Sequence, residues 1–219
     1  MSICRDGYPV PFTAGENLAA HAAAYLARSA ALLESMVVLA KAGDREAIPV
    51  LYRTLLETWY SGVYLALGGE DAMARLDRQL TFEGKRIARA IGEEEPTGEA
   101  ERLPVAELAK LVEALLEPLV EDDSFPTRSY NIHYRIGSYH WSHGHLGSLM
   151  QFFTEERGHP EVTIIRGEFE GPGSIALHFA MSVSLVASLC NMISVQGHSP
   201  TDRSRLGGFL NRWRNLPTE

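Results

Sequence analysis

The chain has few cysteines and no excess of basic residues, and both shortages narrow its possible functions. Cys4 and Cys190 are the only cysteines among 219 residues. Two such distant cysteines give neither the paired spacing of a zinc site nor a disulfide framework. The formal net charge is −8, which disfavours broad binding to nucleic acid, because that binding needs clustered positive charge. We therefore expect a reduced, cytoplasmic protein.

From the sequence we expect neither a signal peptide nor a membrane-spanning helix. The first residues have neither the basic start nor the apolar stretch of a secretion signal. The longest apolar stretch, 174–195, contains five serines, an asparagine and a histidine. Because these side chains would be costly against lipid, we expect this stretch to form a buried core helix.

What the chain does have is helical periodicity. Apolar residues recur at three- and four-residue steps from Ala19 to Val37, as one buried helix face requires. The same reasoning predicts an all-α fold, a bundle of about six helices with a short irregular or β-like excursion near 160–173. The predicted helices are 16–41, 45–67, 70–91, 103–120, 128–155 and 174–196. We divide the chain into an irregular arm (1–15), one bundle domain (16–197) and a polar, arginine-containing tail (198–219).

The segment 128–145 is the richest in polar chemistry. It holds four of the eight histidines and contains the spacing Arg-x4-His twice, at Arg128/His133 and at Arg135/His140. Histidine has the unperturbed pKa nearest neutrality, so such a cluster suits proton transfer or metal binding.

A second informative element lies on the second predicted helix. Arg53 and Glu57 are four residues apart within an apolar run, so they share a helix face. A charged pair in such surroundings is expected to be partly buried, and a buried arginine needs partners. The histidine segment is the expected source of them.

These two elements together resemble a known family. Arg53-Thr-Leu-Leu-Glu57, and later Tyr134-Arg135, Ser138 and Ser142-His143-Gly144, resemble an uncharacterised bacterial all-helical family with an Arg-x-Leu-Leu-Glu helix and a later Tyr…Ser…His helix. That family looks related to the HEPN superfamily, whose active members are ribonucleases with an Arg-x4–6-His motif. The resemblance covers about residues 20–195 in helix order. It implies a HEPN-like bundle, for which we expect a homodimer and no obligatory cofactor.

One interpretation of the site is metal-independent RNA cleavage. Histidine would act as general acid or base, and arginine would stabilise charge on the phosphate. Arg128-Ser129 has the polar residue that usually follows the motif arginine, whereas Arg135-Ile136 does not, and His143 matches the histidine of the uncharacterised family. The candidate catalytic residues are Arg128, His133, Arg135, His140 and His143. The supporting residues would be Arg53, Glu57, Tyr134 and Ser138. Four arginines of the tail would contact RNA: Arg203, Arg205, Arg212 and Arg214.

Two further interpretations remain open. A metal site could use His140 and His143 with Glu57 or Glu34, but Glu-x-x-His, the di-iron signature, occurs only once, at Glu156/His159. In the other interpretation, Arg53, Glu57, Tyr134, Ser138 and His143 form a buried polar network that fixes helix register, since buried polar groups must be satisfied. The protein would then be a non-catalytic or partner-binding module, which is the interpretation we favour. The partner could be RNA or another protein.

Overall fold

The protein is all-α, as its periodicity predicted. The structure, a computed structural model, describes residues 17–44, 47–118, 125–135, 153–155, 162–164 and 172–197. Within these residues five α-helices form: α1 (Asn17–Lys41), α2 (Ala47–Ile91), α3 (Val105–Leu116), α4 (Phe125–Ser129) and α5 (Pro172–Gly197). A π-helical turn, Tyr130–Tyr134, continues α4.

The two predicted helices 45–67 and 70–91 correspond to the two parts of α2, which meet at a kink. Gly69 has non-helical φ 64° and ψ −143° at this kink, a conformation that essentially only glycine adopts. The Gly68-Gly69 pair therefore ends one helix where the next begins, as the sequence predicted. We call the part before Gly69 α2N (47–68) and the part after it α2C (70–91).

The hydrophobic core surrounds α2N. Its buried side chains include Tyr52, Leu56, Tyr60 and Val63, and α1, α3 and α5 all pack against α2. A helix that is apolar on most sides must be enclosed in this way. At Gly62 the packing is close, because an added Cβ would lie 3.0 Å from the Leu189 side chain of α5.

α2C and the loop after it form a hairpin held by ion pairs. Arg75 donates through Nε to Glu101 at 2.7 Å and through Nη2 to Glu107 at 2.5 Å. Arg78 donates to the other oxygen of Glu101 at 3.0 Å. The loop 92–104 thereby lies along α2C and leads into α3.

The prediction of a helix over 128–155 is wrong for its last three residues. Phe153–Glu155 is a strand that pairs antiparallel with Val162–Ile164. The second strand lies within the predicted β-like excursion and is entirely β-branched, which favours extended backbone. Its partner strand gave no alternating pattern of its own, so helical periodicity was extended too far.

One helix of the described residues, Ala20–Lys41, could cross a membrane by length and composition. It packs against α2 and α5 in the structure, and it includes Arg28 and Glu34. The core helix of a soluble protein and a signal sequence near an N-terminus pass the same test.

Candidate functional site

The segment 125–135 is anchored to α2 and α3 at its beginning. The hydroxyl of Tyr60 donates to the carbonyl oxygen of Pro126 at 2.8 Å. The backbone N–H of Thr127 donates to Oε2 of Glu113 at 3.0 Å. A helix start has N–H groups without partners inside the helix, and Glu113 of α3 satisfies one of them. Sequence reasoning missed both anchors.

A π-helical turn shapes the end of the segment. The N–H of Arg135 donates to the carbonyl oxygen of Tyr130, five residues earlier, which is the π-helical pattern. The rings of Tyr130 and Tyr134 stack with their centroids 5.2 Å apart and their planes 20° apart. This stacked pair presents the Tyr134 hydroxyl to α2N.

Three polar side chains meet between this turn and α2N, and we call them the Arg53–Glu57–Tyr134 cluster. The Tyr134 hydroxyl donates to Oε1 of Glu57 at 2.6 Å and accepts from Nη2 of Arg53 at 2.8 Å. The same Nη2 lies 3.3 Å from Oε1 of Glu57. The phenol thus uses its donor and its acceptor at once, and it joins two charges that α2N places one turn apart.

Stacking adds to these hydrogen bonds. Cζ of Arg53 lies 4.5 Å from the centroid of the Tyr134 ring, a cation–π contact that contributes about 0.5–1 kcal/mol at an exposed site. The side chains of Arg53 and Glu57 are 25% and 38% exposed, so their direct ion pair contributes at most about 1 kcal/mol. Nε of Arg53 is buried and has no hydrogen-bond partner among the described residues.

The environment keeps the Tyr134 phenol neutral. Burial is the main cause that raises the pKa of Tyr134 to about 12. The hydrogen bond to Glu57 raises the pKa as well, whereas that from Arg53 lowers it. A phenol of this kind serves near neutrality as a hydrogen-bond donor, because it releases its proton only in strong alkali.

Of the other candidate residues, the structure describes two arginines and the backbone of one histidine. Arg128 and Arg135 are exposed, and neither takes part in the hydrogen bonds that join the cluster. The backbone of His133 lies within the π-helical turn, but its side chain is outside the description. Outside the described residues altogether are Ser138, His140, His143, Arg203, Arg205, Arg212 and Arg214.

The metal interpretation gains no support from the described part of the chain. No group of three or more histidine, cysteine, aspartate or glutamate side chains that could hold a metal occurs there. The histidines on which that interpretation depends, His140, His143 and His159, lie outside it, as does Glu156.

A further aromatic contact lies elsewhere on α2N. His178 of α5 is 7% exposed, and its ring meets the edge of Tyr52 with centroids 4.9 Å apart. Burial also raises the pKa of the Tyr52 phenol. His178 therefore lies in the core, against Tyr52.

Comparison with known proteins adds no relative. No protein-family model matches the sequence, no curated protein is significantly similar to it, and no solved structure is significantly similar in fold. We therefore infer the function from the geometry of the chain itself.

Proposed function

We propose that this chain is a non-catalytic helical module that acts by binding a partner. In this proposal the Arg53–Glu57–Tyr134 cluster holds segment 125–135 in register on α2N. The supporting observation is that the three groups satisfy one another through short hydrogen bonds at 2.6 and 2.8 Å. A phenol engaged on both sides, with its pKa raised, suits positioning better than proton transfer.

We also propose the helix arrangement, the oligomeric state and the location of this module. The module would be a six-helix, HEPN-like bundle, cytoplasmic, homodimeric and without an obligatory cofactor. In its support, the Arg-x-Leu-Leu-Glu motif lies on α2N, and Tyr134, from the later motif, contacts both charged residues of the first. Ser138 and His143 would extend the network from beyond the π-helical turn.

The experiment that tests the positioning role compares stability with RNA cleavage. Tyr134→Phe keeps the ring and removes the hydroxyl, so we expect a loss of about 1–2 kcal/mol in the free energy of unfolding. Wild-type protein and variant, each incubated with mixed RNA in the presence of a chelator, should leave the RNA equally intact. Cleavage by the wild type that the variant lacks would overturn the non-catalytic proposal.

The second candidate function is metal-independent ribonuclease activity. It is favoured by the exposed guanidiniums of Arg128 and Arg135, which stand on the segment that Arg53 contacts, although the chain as a whole carries a net charge of −8. In this reaction His133 or His143 would deprotonate the 2′-hydroxyl, which attacks the neighbouring phosphorus. An arginine would stabilise the negative charge on phosphate oxygens. The bond to the 5′-oxygen breaks as a histidine or water protonates that oxygen, which leaves a 2′,3′-cyclic phosphate and a 5′-hydroxyl.

A matched pair of arginine variants tests this second candidate. Arg135→Ala should reduce chelator-resistant cleavage at least about a hundredfold if the guanidinium stabilises the transition state. Arg28→Ala, which removes an exposed arginine from α1, should cleave as the wild type does. Equal cleavage by both variants would exclude Arg135 as the stabilising arginine, and cleavage that the chelator abolishes would exclude the metal-independent mechanism.

A further inference from the structure

An apolar stripe lies exposed on α2C, on the far side of the kink from the Arg53–Glu57–Tyr134 cluster. Leu80, Ile87 and Ile91 are 71%, 56% and 61% exposed. Their spacing of seven and four residues places them within about 40° of one another on the helix. Large apolar side chains aligned in this way indicate an interaction surface more strongly than isolated ones do.

The loop after α2C covers a neighbouring side of the helix and leaves this stripe exposed. Ala88 is buried, and Nζ of Lys85 donates to the carbonyl oxygen of Gly98 at 2.9 Å. Pro96 lies so close to Gly84 that an added Cβ would be 3.2 Å from its Cγ. The loop thus borders the stripe at Gly84.

We propose an interface for the homodimer of the proposed function, on which this inference rests: the stripe packs antiparallel against the same stripe of a second copy of the chain. With the two-fold axis between Gly84 and Lys85, Leu80 of one copy lies opposite the interval between Ile87 and Ile91 of the other. In this staggered arrangement Leu80 and Ile87 each enter a gap between two stripe residues of the other copy, and Ile91 lies just beyond Leu80 of the other copy. A two-fold interface requires such a self-complementary surface.

The charges beside the stripe fit the same axis. Glu83 and Arg86 lie on one flank of the stripe, and they pair within the helix at 2.9 Å. About the proposed axis, Glu83 of each copy is level with Arg86 of the other, so both cross-pairs carry opposite charges. An unrelated partner would not require this palindromic match of charge and shape, which is why we assign the surface to a second copy.

The stripe is short, so the dimer should be weak. Leu80 to Ile91 spans only about 16 Å of helix, and we expect a dissociation constant of roughly 10–100 µM. Sedimentation velocity across that range should show a concentration-dependent dimer of the full chain. A monomer at every concentration would refute the proposal.

A matched pair of substitutions locates the interface. Leu80→Glu should raise the dissociation constant at least about tenfold, because it places a charge where a leucine would be buried. Val38→Glu makes the same kind of change at another exposed apolar residue, on α1, and should leave association unchanged. Dimerisation that resists Leu80→Glu, or that Val38→Glu abolishes, would place the interface elsewhere.

Charge reversal tests the antiparallel register. Glu83→Arg alone opposes arginine to arginine across the axis, and Arg86→Glu alone opposes glutamate to glutamate, so each variant should associate more weakly than the wild type. An equimolar mixture of the two should form a heterodimer, because both of its cross-pairs are again opposite in charge. If each variant is helical by circular dichroism and the mixture still associates no better than either variant alone, the proposed register is wrong.

Discussion

Two arginine–glutamate clusters lie on α2, one on each side of its kink, and they differ in how completely their groups are paired. On α2C, Arg75 uses Nε and Nη2 for two different carboxylates, and Arg78 takes the second oxygen of Glu101. On α2N, one Nη2 of Arg53 serves both Glu57 and Tyr134, while Nε is buried without a partner among the described residues.

The difference shows which cluster depends on the rest of the fold. The α2C cluster joins α2C to the loop 92–104 and to the first turn of α3, at most 32 residues along the chain. The α2N cluster joins elements 77 residues apart, since Tyr134 bonds to Glu57. Loss of the α2N contacts should therefore loosen the bundle, and loss of the α2C contacts should loosen chiefly the loop 92–104 and its connection to α3.

The largest effect is expected for Tyr134→Ala. It removes both hydrogen bonds, the stacking on Tyr130 and the cation–π contact with Arg53, so the free energy of unfolding should fall by about 2–3 kcal/mol. Urea unfolding measures the loss. Lys110→Ala, at an exposed position of α3, is the control and should unfold within about 0.5 kcal/mol of the wild type. An equally small loss for Tyr134→Ala would remove the distinction between the two clusters.

The next effect concerns the kink that separates the clusters. Gly69→Asn should lower the free energy of unfolding by about 1–3 kcal/mol, because φ 64° with ψ −143° strains any residue with a side chain. Gly43→Asn provides the comparison: the positive φ of Gly43 at a helix end is one that asparagine tolerates. A rise in stability for Gly69→Asn would mean that α2 is straight in solution.

The loss of unfolding free energy at alkaline pH should also distinguish the two clusters. The pKa of Tyr134 is about 12 in the folded chain and about 10 in the unfolded chain. Between these values only the folded state retains the proton, so stability is complete below pH 10 and falls as pH rises towards 12. Tyr134→Phe should make this fall shallower, as measured by urea midpoints at a series of alkaline pH values. A fall as steep as that of the wild type would indicate an unperturbed phenol.

The smallest global effect is expected for Glu101→Gln. This change removes the negative charge and one of the two oxygens that accept from Arg75 and Arg78, while Arg75 keeps Glu107. The urea midpoint of Glu101→Gln should stay closer to that of the wild type than the midpoint of Tyr134→Phe does. High salt should further reduce the difference between Glu101→Gln and the wild type, because it screens the ion pairs. Amide exchange in the loop 92–104 should increase. A global loss as large as that of Tyr134→Ala would contradict the local role of this cluster.

The sequence predicted the helices better than their connections. The apolar spacing of α1 and the glycine pair at 68–69 located the helices and the break, but a glycine pair can either end a helix or bend it. In the structure it ends one helix and begins the next, because Gly69 leaves helical φ/ψ. The strand at Phe153–Glu155 went unpredicted because its partner lies beyond it in the chain.

Part of the candidate site followed from a local rule. An arginine and a glutamate one turn apart in an apolar run need a polar partner, and Tyr134 was among the candidates. The anchors at Tyr60 and Glu113 had no such signal, because they join residues 66 and 14 positions apart through contacts that arise only on folding. No sequence pattern predicted the π-helical turn either, because the turn depends on one i→i−5 hydrogen bond.

A double-mutant cycle between Glu57→Ala and Tyr134→Phe tests the central claim most directly. If the phenol–carboxylate bond at 2.6 Å locks segment 125–135 onto α2N, the two losses of unfolding free energy should couple by about 1 kcal/mol or more. Additive losses, with a coupling below about 0.3 kcal/mol, would show that Tyr134 and Glu57 do not interact in the folded protein.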